Sequence, residues 1–322
     1  MNTRSTRQSR PVALGSGVVA FLLCVLALRA FLGSETTQNA LALYIVQLEP
    51  ALWALLIAAA AVGGGSALLR LLRVLPSDPL TAALFGAGTG LGLISALTLL
   101  LGRVGWSGRL VMTGLLVLLV MVGSGALRSA LPAILNACRR RHRPLLHVIL
   151  LIVLGLFLLM NLTRAWAPPV DYDSLEYHVA APAAYVMDGR VHFMEHNVYA
   201  SFPQNVEMWH YLGMQLTGDI DRGVTVGQLL SALCGFLAAL AIYAVLRRLA
   251  DRTTGLLGAS AFYTWAGVTY YSGIPYVELP LIFYGALALL AMVRGMTATE
   301  QSGASPAWLI LTGIAAGLGM GV

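Results

Sequence analysis

Eight consecutive residues, Asp171-Tyr172-Asp173-Ser174-Leu175-Glu176-Tyr177-His178, set three carboxylates, two phenols and an imidazole directly after the Pro168-Pro169 pair. Carboxylates in a partly desolvated cleft acquire a raised pKa or hold a cation, and either outcome suits them for general-base work. A plainer reading has Asp173 capping a helix and the other charges solvated. The residues alone do not choose between the two. A second cluster, His192-Phe193-Met194-Glu195-His196, matches the His-x-x-Glu-His spacing of zinc proteases, in which both histidines must share one helical face. Gly189 lies just before it and Asn197-Val198-Tyr199 just after, which leaves no helix long enough to carry it. It is therefore read as a chance match, and a membrane metalloprotease stays a minor alternative. Trp209 and His210 are read as interfacial aromatics rather than as groups beside a ligand.

These residues belong to one unusual segment. Positions 168 to 222 hold eight of the 14 carboxylates and four of the six histidines. A segment of that length, rich in Tyr, Phe, Trp, Val and Leu, folds rather than staying disordered. Residues 173 to 187 read as a short helix with Asp173 as N-cap and Glu176 at the capping-box position, ended by Asp188-Gly189. Residues 203 to 216 read as a second, with Pro203 at its first position. Both are expected to lie at the membrane interface.

The remainder of the chain supplies the membrane. With 58% hydrophobic and 11% charged residues, a soluble domain is excluded. Nine apolar stretches are long enough to span a bilayer, at about 11–32, 51–69, 79–102, 110–127, 145–163, 223–246, 254–272, 276–293 and 307–322. The fold class is thus an all-α polytopic transmembrane bundle of about nine spans with one long extracytoplasmic loop. It divides near residue 140 into a block of four spans (1–140) and a five-span block (141–322). The chain has no lysine, so all 20 of its fixed positive side chains are arginine. Alternating the spans from a cytoplasmic N-terminus puts 14 of the 20 arginines inside, including the run Arg139 to Arg143. Arg29, Arg103, Arg109, Arg164, Arg190 and Arg222 fall outside or at the outer boundary, as the positive-inside rule expects. That run is a topology anchor, and no nucleic-acid partner is implied. The first span is read as retained, because its apolar run exceeds a signal-peptide core and Arg29 occupies the cleavage region. Cys24, Cys138 and Cys234 show neither disulfide nor metal spacing. Gly63 to Gly65 and Gly86, Gly88, Gly90 and Gly92 suit close helix packing rather than phosphate binding. The end at Val322, inside an apolar run, suggests a truncated product.

The loop resembles the first outer loop of GT-C glycosyltransferases. The likeness is to the bacterial branch related to protein O-mannosyltransferases and to the lipid A aminoarabinose transferase. It is carried by Asp173-x-x-x-Tyr177-His178, Pro182, Tyr185, Gly189-Arg190, Tyr199, Pro203, Glu207 and Gly218-Asp219. Pro275-Tyr276-Val277-Glu278 resembles the family's second acidic position, and Gly313 to Gly321 its glycine-rich span, without the Lys-Tyr that commonly follows. The resemblance implies an enzyme of a bacterial plasma membrane. It would move a sugar from a polyprenyl-phosphate carrier to a lipid, glycan or protein acceptor outside the membrane, with inversion. Catalytic roles fall to Asp173 as general base or orienter, to Asp171, and to Glu278. Substrate-binding roles fall to Tyr177, His178, Arg190 and Glu207. Arg190, ahead of Arg222, is the candidate for the phosphate leaving group, and some relatives bind a divalent metal, for which Asp171, Asp173 and His178 are the candidates. A non-enzymatic lipid-substrate transporter or flippase is the alternative. It fits less well, because transporters place ionisable groups near the midplane and show repeated halves.

Overall fold

The computed structural model describes residues 34–128, 144–297 and 305–322. The first expected span, Cys24, Cys138 and the run Arg139 to Arg143 lie outside the described residues. The described residues from Glu49 onward form one compact unit. The described residues are helical and contain no strand. The principal helices are α1 (Ser34–Leu71), α2 (Pro79–Arg103), α3 (Arg109–Val122) and α4 (Leu145–Arg164), followed by α5 (Ala180–Met187), α6 (Glu207–Thr217) and α7 (Ile220–Leu249). The series closes with α8 (Arg252–Tyr263), α9 (Ala266–Tyr271), α10 (Glu278–Met296) and α11 (Ser305–Gly319).

Among the described residues, five helices are long and apolar enough to cross a membrane: Leu48–Leu71, Pro79–Arg103, Leu145–Arg164, Ile220–Leu249 and Glu278–Met296. Arg109–Val122 and Pro306–Gly319 are apolar but shorter. The stretch expected as one span over 254–272 is instead broken into α8 and α9. The Thr264 hydroxyl bonds back to the Ser260 carbonyl at 2.8 Å, and Trp265 takes an extended backbone (φ −64°, ψ 135°). A back-bonded Thr followed by one extended residue is enough to end a helix and restart it at a new angle.

Where helices cross, glycine lets the backbones touch. A Cβ on Gly65 would fall 2.0 Å from the Gly86 carbonyl oxygen, and one on Gly90 would fall 1.9 Å from that of Ala61. These are the glycines whose spacing suggested packing, and no larger residue fits there. At the centre, α7 touches α6, α8, α10, α4 and α2. Its 30 residues make it about 45 Å long, and ion pairs mark its two ends. At its start Arg222 pairs with Glu49, which Arg109 also approaches at 3.5 Å. At its finish Arg247 and Arg294 each lie 3.5 Å from Asp78.

Candidate active site

The polar loop folds onto the starts of α7 and α10. Its first turn begins earlier than the sequence suggests, since Leu175 N–H already bonds the Asp171 carbonyl at 3.2 Å. Residues Ser174–His178 then form a π-helical turn, closed by Val179 N–H on the Ser174 carbonyl at 2.9 Å. Asp173 is consequently not an N-cap: its backbone is already helical (φ −63°, ψ −34°) and its side chain makes no capping bond. Because the turn has already begun at Asp171, the Asp173 carboxylate is not used as a cap. Asp188 and Gly189, the latter at φ +69°, end α5 as expected.

The second loop helix starts at Glu207, four residues after Pro203. The delay has a cause in tertiary bonds. Asn205 gives its N–H to the Gly321 carbonyl (3.0 Å) and its amide to that of Leu318 (3.3 Å), while its own carbonyl accepts from Ser95 (2.7 Å). These bonds hold the backbone out of the helix until Val206. From Glu207 to Thr217 every residue but Gln215 is buried, so α6 is an enclosed helix rather than an interfacial one. Trp209 and His210 are accordingly buried, not part of an interfacial belt. The His210 ring fills the space a Cβ on Gly227 would occupy, 2.2 Å from Nδ1. Burial, with His178 close by, pushes its pKa down to about 3.

Six of the seven anticipated side chains meet directly, through shared neighbours or through their charges. His178 Nδ1 lies 2.6 Å from Glu207 Oε1, with each side chain 3% exposed. The His178 ring sits between Tyr177 (centroids 4.0 Å apart) and Tyr276 (5.2 Å). Tyr177 continues to Tyr199 (5.3 Å, stacked) and Phe202, and Tyr276 continues to Tyr271 and then Tyr270. Carboxylates flank this aromatic row. Asp171 accepts from the Tyr270 hydroxyl at 3.1 Å. Asp173 and Glu278 both raise the phenols of Tyr177 and Tyr276, each pushed up to about 12, chiefly by burial. Both phenols therefore stay protonated near neutrality and serve as hydrogen-bond donors. Glu278 opens α10. Asp173 and His178 are its charged neighbours. Its Oε2 is buried with no protein partner, as are Ser174 Oγ and Glu207 Oε2. Unpartnered buried acceptors of this kind need water or a ligand.

Arg190 does not join this group. It is exposed beyond α5, and its interaction is with His192, whose charge it disfavours. Arg222 is held by Glu49 and Asp219. The His-x-x-Glu-His cluster has no helix. His192 bonds Asp188 at 2.6 Å and the Phe193 carbonyl at 2.8 Å, so the zinc-protease reading fails on geometry. For the metal set Asp171, Asp173 and His178, Glu207 occupies His178 Nδ1 and Tyr270 occupies Asp171. Among the described residues no three His, Cys, Asp or Glu side chains converge to hold an ion. These residues do not fit a metal as arranged.

Sequence reasoning missed Tyr270 and Tyr271, which were absorbed into an apolar span. The density of aromatic and small polar residues in Trp265-Ala266-Gly267-Val268-Thr269-Tyr270-Tyr271-Ser272-Gly273 was the available sign of a membrane boundary.

An all-helical bundle with several apolar spans and a carboxylate-lined aromatic site beside the start of one of them defines an integral membrane protein. Residues 220–322 match the family model described as dolichyl-phosphate-mannose-protein mannosyltransferase, a signature of the GT-C glycosyltransferases. No curated protein and no solved structure shows a significant match to the chain.

Proposed function

We propose that the chain is a glycosyltransferase that moves a sugar from a polyprenyl-phosphate carrier to an acceptor outside a bacterial plasma membrane, with inversion. One observation carries the reading: Asp173 from the loop and Glu278 from the family-matching segment lie around the same phenols, Tyr177 and Tyr276. In this reading the helices from 145 onward are the catalytic core and the earlier ones a scaffold. The N-terminus is cytoplasmic, which sets the Asp78, Arg247 and Arg294 cluster inside and the loop outside.

The acceptor hydroxyl attacks the anomeric carbon opposite the phosphate. A bond to the acceptor oxygen forms as the bond to the phosphate oxygen breaks, its electron pair leaves with the phosphate, and the hydroxyl proton passes to Asp173. The neutral phenols of Tyr177 and Tyr276 donate hydrogen bonds to the sugar, Asp171 orients the rim through Tyr270, and Glu278 meets the acceptor. Glu207 fixes the tautomer of His178, leaving its second ring nitrogen for substrate. Arg190 is left as a rim residue for an acceptor.

The test is turnover by the wild-type protein in proteoliposomes supplied with polyprenyl-phosphate-linked labelled sugars. Label should move to a lipid, glycan or peptide acceptor with inverted anomeric configuration. Transport of the intact carrier across the bilayer without cleavage would favour the flippase reading instead.

A further inference from the structure

Breaking a glycosyl phosphate leaves negative charge on the departing group, which needs a cation at the place where the charge develops. Of the two arginines singled out by sequence, Arg222 is held by Glu49 and Asp219, and Arg190 is exposed beyond α5, where it disfavours charge on His192. Arg164 is differently placed. It is exposed at the last turn of α4, where its Nε donates to the Thr269 carbonyl at 3.1 Å, and no carboxylate among the described residues pairs with it. The guanidinium also lies against Gly273, where a Cβ would fall 3.3 Å from Nη2. Thr269 is followed by Tyr270, the phenol that bonds Asp171, and Gly273 precedes Tyr276 by three residues. Gln228 ties the two segments of this rim together, giving its amide to the carbonyls of Ala167 (3.2 Å) and Gly273 (3.1 Å). Arg164 is thus built into the edge of the carboxylate and aromatic site by backbone contacts on two sides. Its terminal amino groups remain for another acceptor.

The helix beneath it points to what that acceptor is. Along α4 the exposed residues Ile149, Ile152, Leu156, Leu159 and Met160 recur at helical spacing and lead, by i to i+4 from Met160, to Arg164. A continuous apolar face that ends at a guanidinium, beside a polar site, matches an amphiphile with a long hydrocarbon chain and a phosphate head. A phosphate on a guanidinium forms paired, charge-assisted hydrogen bonds that a lysine supplies less specifically.

We infer that Arg164 binds the phosphate of the isoprenoid carrier, with the carrier chain lying along the exposed face of α4. The inference rests on the donor class proposed above and names the residue that receives its charged group. An interfacial arginine that only anchors the helix would take any anionic lipid equally well.

The experiment measures binding of polyprenyl phosphate, and of polyprenol of equal length, to the full chain in nanodiscs by native mass spectrometry. Wild type should prefer the phosphate by about tenfold or more. Arg164→Gln should abolish that preference while Arg164→Lys retains part of it, with unfolding temperatures unchanged. A preference that survives Arg164→Gln overturns the assignment of Arg164 alone. No preference in wild type overturns both this assignment and the donor class. Equal displacement of polyprenyl phosphate by phosphatidylglycerol or by inorganic phosphate would show a general phosphate site and overturn the assignment of the carrier.

Discussion

His178 and Glu207, 29 residues apart in the chain, meet through a 2.6 Å contact at which both side chains are almost wholly buried. The pair ties the π-helical turn to the first residue of the enclosed helix α6, so loop geometry and site geometry are set by the same bond. Removing Glu207 leaves the His178 ring nitrogen unpaired in a poorly solvated place, which costs about 1–3 kcal/mol. Glu207→Ala should therefore lower the unfolding temperature markedly, whereas Glu207→Gln, which keeps a hydrogen-bonding group there, should lower it less. Equal thermal stability of Glu207→Ala and wild type would show that the pair does not hold the loop.

His210 predicts an acid limb in stability. Its native pKa, depressed to about 3 from an ordinary 6.5, means that the unfolded chain takes up a proton the folded chain refuses. The stabilisation is complete above about pH 6.5 and is lost progressively as pH falls toward 3. Thermal unfolding followed across that range should show the decline, and replacing His210 by Gln should flatten it. An unchanged slope in His210→Gln would assign the limb to other groups.

At the other end of α7, Asp78 caps α2 through the Thr81 amide (3.0 Å) and hydroxyl (2.6 Å) and receives Arg247 and Arg294. Burial works against its charge, but the Thr81 bonds and the two guanidiniums prevail and hold its pKa below the usual range. Asp78→Ala should cost about 1–2 kcal/mol, mostly the lost cap, with the partly exposed ion pairs adding little. Chemical denaturation in detergent micelles measures it, and a loss below 0.3 kcal/mol would contradict the capping role.

Topology is checked by labelling. A cysteine in place of the exposed Ser201 should react with an impermeant maleimide in intact cells. Reaction only after permeabilisation would invert the proposed orientation.

The parts of this fold that hydrophobicity and charge dictate were readable in advance: the long spans, the polar loop, and the glycines at Gly65, Gly86 and Gly90. What escaped the sequence was decided by tertiary bonds. Asp173 looks like a cap because an aspartate before Glu176 and an apolar run usually is one. What releases it is the earlier start of the turn, with Leu175 N–H on the Asp171 carbonyl, which no local spacing announces. Pro203 looks like a helix start, yet the bonds from Asn205 to Leu318 and Gly321 postpone the helix to Glu207. The span expected through 254–272 fails at Thr264 and Trp265, and that break is what brings Tyr270 to Asp171. Arg190 matched a family position by spacing alone, while Arg164 was counted only as a topology residue.

The central claim is that Asp173 removes the acceptor proton as the sugar leaves its isoprenoid phosphate. The most direct measurement is single-turnover transfer of labelled sugar from polyprenyl phosphate by Asp173→Asn and by wild type, in the same proteoliposomes. A general base contributes about 10²–10⁴-fold, so the variant should lose at least a hundredfold in rate while keeping its unfolding temperature and its affinity for the carrier. Transfer at the wild-type rate by a folded Asp173→Asn would contradict the account.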